Sequence, residues 1–297
     1  QTTEGCLIKL GASLPTLDQN YDFSTESDEQ LDPQTIEYSL RFAHPEEGNL
    51  SSSSPHTRSL NPLVGQSLSI SYLRKITCLY CGSKIKKTYS DGYCYPCFID
   101  QPSAAECIIR PALCLAHEGG GRDPEWERVH HLQPHYVYLA LSSKYKVGVT
   151  RDWPTRWLDQ GADAIKVIAK TPYRQLAGLI EQELSEHYSD KLSWQRMLKD
   201  ELLNEADLDR EALRCAELLS TQLKPYATPR SPTLSLRYPK VESPKKVKSI
   251  KLSKLEKGET LEGRLIGIKG QYLIFDEGRV FNVRAHSGYH ISLSIID

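Results

Sequence analysis

The chain has 297 residues, 39% of them hydrophobic and 25% charged, with a formal net charge of −1. That length supplies apolar residues for a sizeable core, while the near-zero charge excludes a globally basic nucleic-acid binder, so any such binding must use local patches. No apolar run approaches the roughly 20 residues that cross a bilayer. The opening Gln-Thr-Thr-Glu lacks a basic region and an apolar stretch, and the eight cysteines group mostly at metal-ligand spacings. Both features lead us to expect a cytoplasmic protein with no membrane partner.

Residues 5–12 and 35–43 read as strands, the second placing Ile36, Tyr38, Leu40 and Phe42 on one face. Acidic and serine-rich stretches surround them, including Ser51–Ser54 before Pro55, so 1–65 reads as an N-terminal unit of strands and flexible loops. At 66–72, Leu68, Ile70 and Tyr72 alternate with serines and lead into Cys78-Leu-Tyr-Cys81. Cys94-Tyr-Pro-Cys97 follows after twelve residues. Two such loops in series aim four thiolates at the corners of one tetrahedron, the donor set of a structural zinc site.

The same segment, 66–135, carries a second group: Cys107, Cys114 and His117, then His130, His131 and His135. Cys114-x2-His117 is ligand spacing. Cys107 and His131, chosen over His130 and His135, complete a second candidate zinc site. Buried thiols with surface histidines are the competing reading, and His135 is open to serving the next unit instead. Lys84, Lys86 and Lys87 lie between the paired cysteines with Tyr89, Tyr93 and Tyr95 nearby. They form a candidate loop for phosphates and bases, or a merely solubilising one.

Next come strands at 136–141 and 145–150, a short helix opening near Pro154, a strand at 164–170, and helices at 173–188, 193–203 and 208–223. Leu208, Ala212, Cys215, Leu219 and Leu223 make a helical stripe in the last. Residues 136–204 read as a central unit, 205–232 as helix and linker, and 233–297 as a small β domain. A Pro/Ser-rich linker at 225–244 and a lysine-dense arm at 240–257 precede the alternating, glycine-punctuated tail. The fold class is α+β.

In the central unit, Tyr138, Arg156 and Glu181 offer a phenol, a guanidinium and a carboxylate, tools suited to phosphodiester chemistry. Each alone is ordinarily packing or solvated surface. Trp153 and Trp157 offer base-stacking surfaces, or packing for the short helix. Tyr136-Val137-Tyr138, then Lys146-Val147-Gly148, Arg156 and Glu181 in the order β-β-α-β-α-α resemble the GIY-YIG endonuclease superfamily. KVGVTRDWPTRW looks closest to its phage-type and helicase-associated branch.

The block over 66–297, including VYLALSSKYKVGVTR, DKLSWQRML and GIKGQYLIFDEGRVFNVR, resembles the bacterial family called domain of unknown function 2797. That resemblance implies a zinc ribbon followed by a GIY-YIG-like domain, and no assigned activity. It implies Tyr138 as a water-activating or proton-relaying phenol, Arg156 as a phosphate clamp and Glu181 as the single carboxylate for Mg2+ or Mn2+. Lys146 and Arg151 would be auxiliary phosphate contacts.

The chain departs from these patterns. Lys146 stands where the superfamily usually has tyrosine, and Val149 where nucleolytic members often have lysine. Cysteines expected in the closest family near Gly121 and at His131 are missing, and the first 60 residues are expanded. The expected function is that of a zinc-containing nucleic-acid-binding protein, an endonuclease on DNA or RNA if Mg2+ or Mn2+ binds. A non-catalytic RNA- or ribosome-binding module and a protein–protein adaptor are the alternatives.

Overall fold

The computed structural model describes residues 2–18, 21–27, 30–43, 55–153, 155–188, 193–201, 203 and 207–296. Strands β1 (Thr2–Ser13), β2 (Gln34–Thr35), β3 (Glu37–Ala43), β4 (His56–Ser59) and β5 (Ser67–Ile76) precede the cysteine-rich segment. That segment holds three short helices, α1 (Tyr95–Asp100), α2 (Glu106–Ile109) and α3 (Pro124–His131). The middle of the chain runs β6 (His135–Leu141), β7 (Tyr145–Thr150), α4 (Thr155–Gln160), β8 (Ala164–Thr171), α5 (Arg174–Ser185), α6 (Trp194–Leu198) and α7 (Leu208–Leu218). It closes with β9 (Thr233–Arg237), β10 (Lys248–Ile250), β11 (Thr260–Lys269), β12 (Tyr272–Phe275), β13 (Arg279–Asn282) and β14 (Tyr289–Ile296).

These strands make a nine-stranded sheet, β10-β13-β12-β11-β5-β14-β1-β3-β4, and a five-stranded sheet, β2-β9-β8-β6-β7. The pleat sends alternate residues of β6 to opposite faces. Tyr138 and Ala140 join Leu10, Leu40, Phe275 and Leu293 in the core between the sheets, with Trp157 of α4 beside them. Val137 and Leu139 face the other way, under Ala177, Ile180 and Leu184 of α5 and Ala212 and Cys215 of α7. The architecture is thus mixed α+β, with two sheets and short helices. Among the described residues no helix is long and apolar enough to cross a membrane.

Sequence patterns place most strands well, because alternation follows burial directly: Ile36, Tyr38, Leu40 and Phe42 are all buried. Ser193 and Asp207 cap α6 and α7, their side chains accepting from the Arg196 and Arg210 N–H groups. The helices end earlier than their stripes suggest. Leu219 and Leu223 stay buried beyond the last turn of α7, so apolar spacing outlasts the helix.

Three parts of the sequence reading change. The C-terminal tail does not stand apart from the N-terminal strands: β1 pairs with β14 from Thr2↔Ser294 to Cys6↔His290, and β5 lies between β11 and β14. β9, which opens the segment read as a C-terminal β domain and lies in the Pro/Ser-rich linker, joins the central sheet beside β8. The lysine-dense arm is ordered, with β10 parallel to β13, Leu252 buried, and Lys240 paired to Asp200 at 2.6 Å. The Ser51–Ser54 loop and Pro154 lie outside the described residues.

Candidate functional site

β5 delivers the chain to the first cysteine pair, and the segment between β13 and β14 anchors it there. Thr77 N–H donates to the Gly288 carbonyl at 2.8 Å. Arg284 grips the Asp91 carboxylate through two bonds of 2.7 and 2.8 Å. Gly82 takes a left-handed φ of 72° as the chain turns beneath the sulfurs, a conformation glycine adopts without strain.

One donor atom from each of Cys78, Cys81, Cys94 and Cys97 lies within 4.8 Å of the others. The Cys94 N–H donates to Cys78 Sγ at 3.1 Å, tying the two cysteine pairs together. Burial raises the Cys81 thiol, but hydrogen bonding with Ser83, Cys78 and Cys97 outweighs it and brings the thiol down to about 6. Burial and the neighbouring thiols push Cys97 upward, since four crowded sulfurs cannot all be anionic without a cation. Four thiolates with no open position fit a metal such as zinc in a structural role. Lys84, Lys86 and Lys87 are exposed on the loop between the pairs, Lys87 lying 4.8 Å from the Tyr89 ring centroid. Tyr89 packs on Tyr95 and Phe98, so these aromatics already partner one another.

The second cluster differs from its sequence-based form. Cys107, Cys114, Glu127 and His131 each place a donor atom within 4.8 Å of the others. Asp123 caps α3 by accepting from Glu125 and Trp126 N–H, and the helix then sets Glu127 and His131 one turn apart on one face. His131 Nδ1 faces both Cys114 Sγ, at 3.4 Å, and the Glu127 carboxylate.

His117 is not part of this group: it stacks on Tyr173 with rings 5.1 Å apart and faces Glu118 at 3.5 Å. Spacing selected His117 because it is near Cys114 in sequence. Glu127 was missed, and its only signal was the four-residue step to His131. Gly121 makes room for it: a Cβ there would lie 2.4 Å from Glu127 Cγ.

A cleft runs along β7, the edge of the five-stranded sheet. Arg156 of α4 and Glu181 of α5 line both of its adjoining pockets, of about 490 and 540 Å3. Lys146, Gly148 and Gln160 line one, and Arg151, Arg174, Lys9 and Arg284 the other. Tyr138 lies beneath Gly148, fully buried, and its hydroxyl donates to Gln160 Oε1 at 3.0 Å. Burial pushes this phenol up to about 12; Arg156, within hydrogen-bonding reach, pulls it down and Glu181 pushes it up.

The fold therefore gathers Tyr138, Lys146, Arg156 and Glu181, with the phenol below the surface. Arg151 lines the cleft with its guanidinium held by Asp152 at 2.6 and 2.9 Å. Trp157 is core, and Trp153 packs on Tyr136 and Phe23.

Other lining residues escaped the sequence reading, whereas His135, held open there for the next unit, lines the cleft as well. Lys9 and Arg284 arrive from the opposite ends of the chain, and Lys9 pairs with Asp159 at 2.7 Å. His135, fully buried at the cleft wall, has Nδ1 2.8 Å from the Gln133 carbonyl, which can only accept. Nδ1 therefore carries the proton, and Nε2 has no hydrogen-bond partner. Burial above all, with Arg174, His131 and Arg151 adding to it, lowers this imidazole to about 4.

Comparison with curated proteins and with solved structures finds no match. Residues 65–291 match the family described as "Protein of unknown function (DUF2797)". The matched region takes in both cysteine clusters, α4, α5 and the β7 edge, more than half of the chain, and the chain belongs to the DUF2797 family.

Proposed function

We propose that this is a zinc-containing nucleic-acid-binding protein whose cleft along β7 grips a phosphodiester backbone. The observation that carries this reading is the placement of Arg156, exposed, and Glu181 on the two sides of one sheet edge, with Lys146 beside them. A planar guanidinium matches a phosphate with two parallel bonds, and basic groups around it supply affinity without requiring a particular base. The element order β6-β7-α4-β8-α5-α6 supports a likeness to the GIY-YIG fold, as does Gly148 seated over Tyr138. The four-cysteine site, holding zinc, would fix the lysine loop against the nine-stranded sheet.

A second reading, a Mg2+- or Mn2+-dependent endonuclease, is favoured by the gathering of Tyr138, Arg156 and Glu181. Glu181, which lines both pockets beside Arg156, is the candidate carboxylate for a cation; Asp91, Asp152 and Asp159 also line the cleft, paired with Arg284, Arg151 and Lys9. One carboxylate together with substrate phosphate oxygens and water is a donor set that Mg2+ accepts, so the residues fit a one-metal site. The ion would supply charge stabilisation at the phosphoryl oxygens. Arg156 holds the phosphate, while the Tyr138 phenol, raised by burial to about 12 and donating to Gln160 Oε1, orients groups through its hydroxyl and cannot serve as a ready base.

Titrating full-length protein against RNA and DNA at several salt concentrations tests the first reading. Affinity should fall steeply with salt, and replacing Lys84, Lys86 and Lys87 with alanine should flatten the slope by up to roughly one contact per lysine. Salt-insensitive or absent binding would favour a protein–protein adaptor. Incubating looped and branched substrates with Mg2+ or Mn2+ tests the second. Glu181→Ala and Tyr138→Phe should abolish cutting while sparing binding, and Arg156→Ala should impair both. Binding with no cutting by wild type leaves the RNA-binding reading, with Lys146, Val149 and the buried phenol as the reasons.

A further inference from the structure

We propose that Cys107, Cys114, Glu127 and His131 form a second metal site, of the zinc class, with a mixed sulfur, oxygen and nitrogen donor set. The inference stands apart from any nucleic-acid role. Its starting point is a buried carboxylate: Glu127 is 2% exposed, neither of its oxygens makes a hydrogen bond, and its ion-pair partner is His131 Nδ1. An ionised carboxylate removed from water costs several kcal/mol unless it is paired or coordinates a cation. His131 Nδ1 faces this carboxylate, but that same nitrogen also faces Cys114 Sγ at 3.4 Å. One nitrogen cannot serve both, whereas an ion held between them satisfies nitrogen, oxygen and sulfur together.

The remaining geometry agrees. All four donor atoms converge within 4.8 Å, as ligands around a single small cation do. Two thiolates, an imidazole and a carboxylate form a borderline-soft set that suits zinc better than the hard ions Mg2+ and Ca2+. The backbone is shaped around the carboxylate. Gly121 has φ 130°, and any side chain there would drive into Glu127.

The position of the site gives it a consequence. Arg174, at the start of α5, donates to the Cys107 carbonyl at 2.9 and 3.1 Å and to the Ile108 carbonyl at 2.9 Å. Fixing Cys107 with a metal therefore fixes the segment that walls the cleft, where Ile109 and Pro111 line the same pockets as Glu181.

Elemental analysis of full-length protein purified without chelator is the direct test. We expect about two zinc ions per chain, one for each cluster of four donors. Glu127→Gln, which keeps the side-chain volume, should lower the ratio to about one, and Cys94→Ser should do the same through the other site. His117→Ala should keep both ions. One zinc in the wild type, or full retention in Glu127→Gln, overturns the proposal.

Should the variants fail to fold, cobalt(II) titration of the wild type decides. Two ions with distinct spectra are expected, the mixed site showing the weaker sulfur-to-cobalt charge-transfer band because it has half the thiolates. Saturation at a single four-sulfur spectrum overturns the proposal. So does a Cys107–Cys114 disulfide found by alkylation and mass measurement of the denatured chain.

Discussion

Gly148 shows how one missing side chain shapes the cleft. A Cβ at this position would sit 2.6 Å from the Tyr138 hydroxyl and 2.7 Å from its ring carbon Cζ, closer than such atoms pack. Gly148→Ala should therefore displace the phenol from Gln160 and cost ~1–3 kcal/mol, the usual penalty for overpacking. Urea unfolding measures it, and an unchanged midpoint would mean that Tyr138 is loosely held. His135 makes a pH prediction of definite sign. Burial, the main cause, lowers it to about 4 in the folded protein, while the unfolded imidazole keeps its ordinary value of 6.5. The unfolded chain thus takes up the proton first. Stability is complete above about 6.5 and is lost as pH falls toward 4, at up to roughly 1.4 kcal/mol per pH unit from this group. His290, lowered the same way, adds to the slope. Unfolding curves between pH 7 and 5 should show the loss, and His135→Asn should flatten it.

Among the elements, α5 links the cysteine-rich segment to the cleft. Its Gly178 meets backbone: a Cβ there would lie 2.1 Å from the Ala112 nitrogen and 2.3 Å from the Pro111 carbonyl carbon. A backbone cannot rotate aside as a side chain can, so Gly178→Ala should push the 111–113 turn off the helix. The expected outcome is faster proteolysis within 105–123 with the two sheets intact, read by mass mapping of the fragments. Protection equal to wild type would show that the turn yields without detaching. The stripe of α5 was legible as Leu176, Leu179, Ile180 and Leu184 at helical spacing, and all four pack into one cluster, Ile180 and Leu184 fully buried. Gly178 was not, since its partner is a turn far back in the chain and glycine in a helix carries no periodic signal.

Across the whole molecule, β1 sits between β14 and β3 and carries Leu7 and Leu10 into the core between the sheets. The DUF2797 match begins only at residue 65, beyond β1, β3 and β4. Removing residues 1–64 would expose the paired edge of β14 and uncover Ile291 and Leu293. An open apolar edge templates aggregation. A 65–297 fragment should therefore express mainly in the insoluble fraction, and a soluble monomer with a native-like circular dichroism spectrum would show that β1 is an accessory strand.

The sequence by itself determined the local features. Strand alternation, helical stripes and the Cys78–Cys81 and Cys94–Cys97 pairs are short-range patterns, because burial and metal geometry act over a few residues. The meeting of Tyr138, Arg156 and Glu181 came instead from likeness to a known pattern of motifs. Only the tertiary structure decided what depends on distant chain segments meeting. It united the first and last strands in one sheet, brought Lys9 and Arg284 to one cleft, and set Glu127 rather than His117 beside Cys107. A carboxylate on an amphipathic helix reads as solvated surface until the fold closes over it, and Glu127 lies at 2% exposure because Gly121 and the Cys107–Cys114 loop cover it.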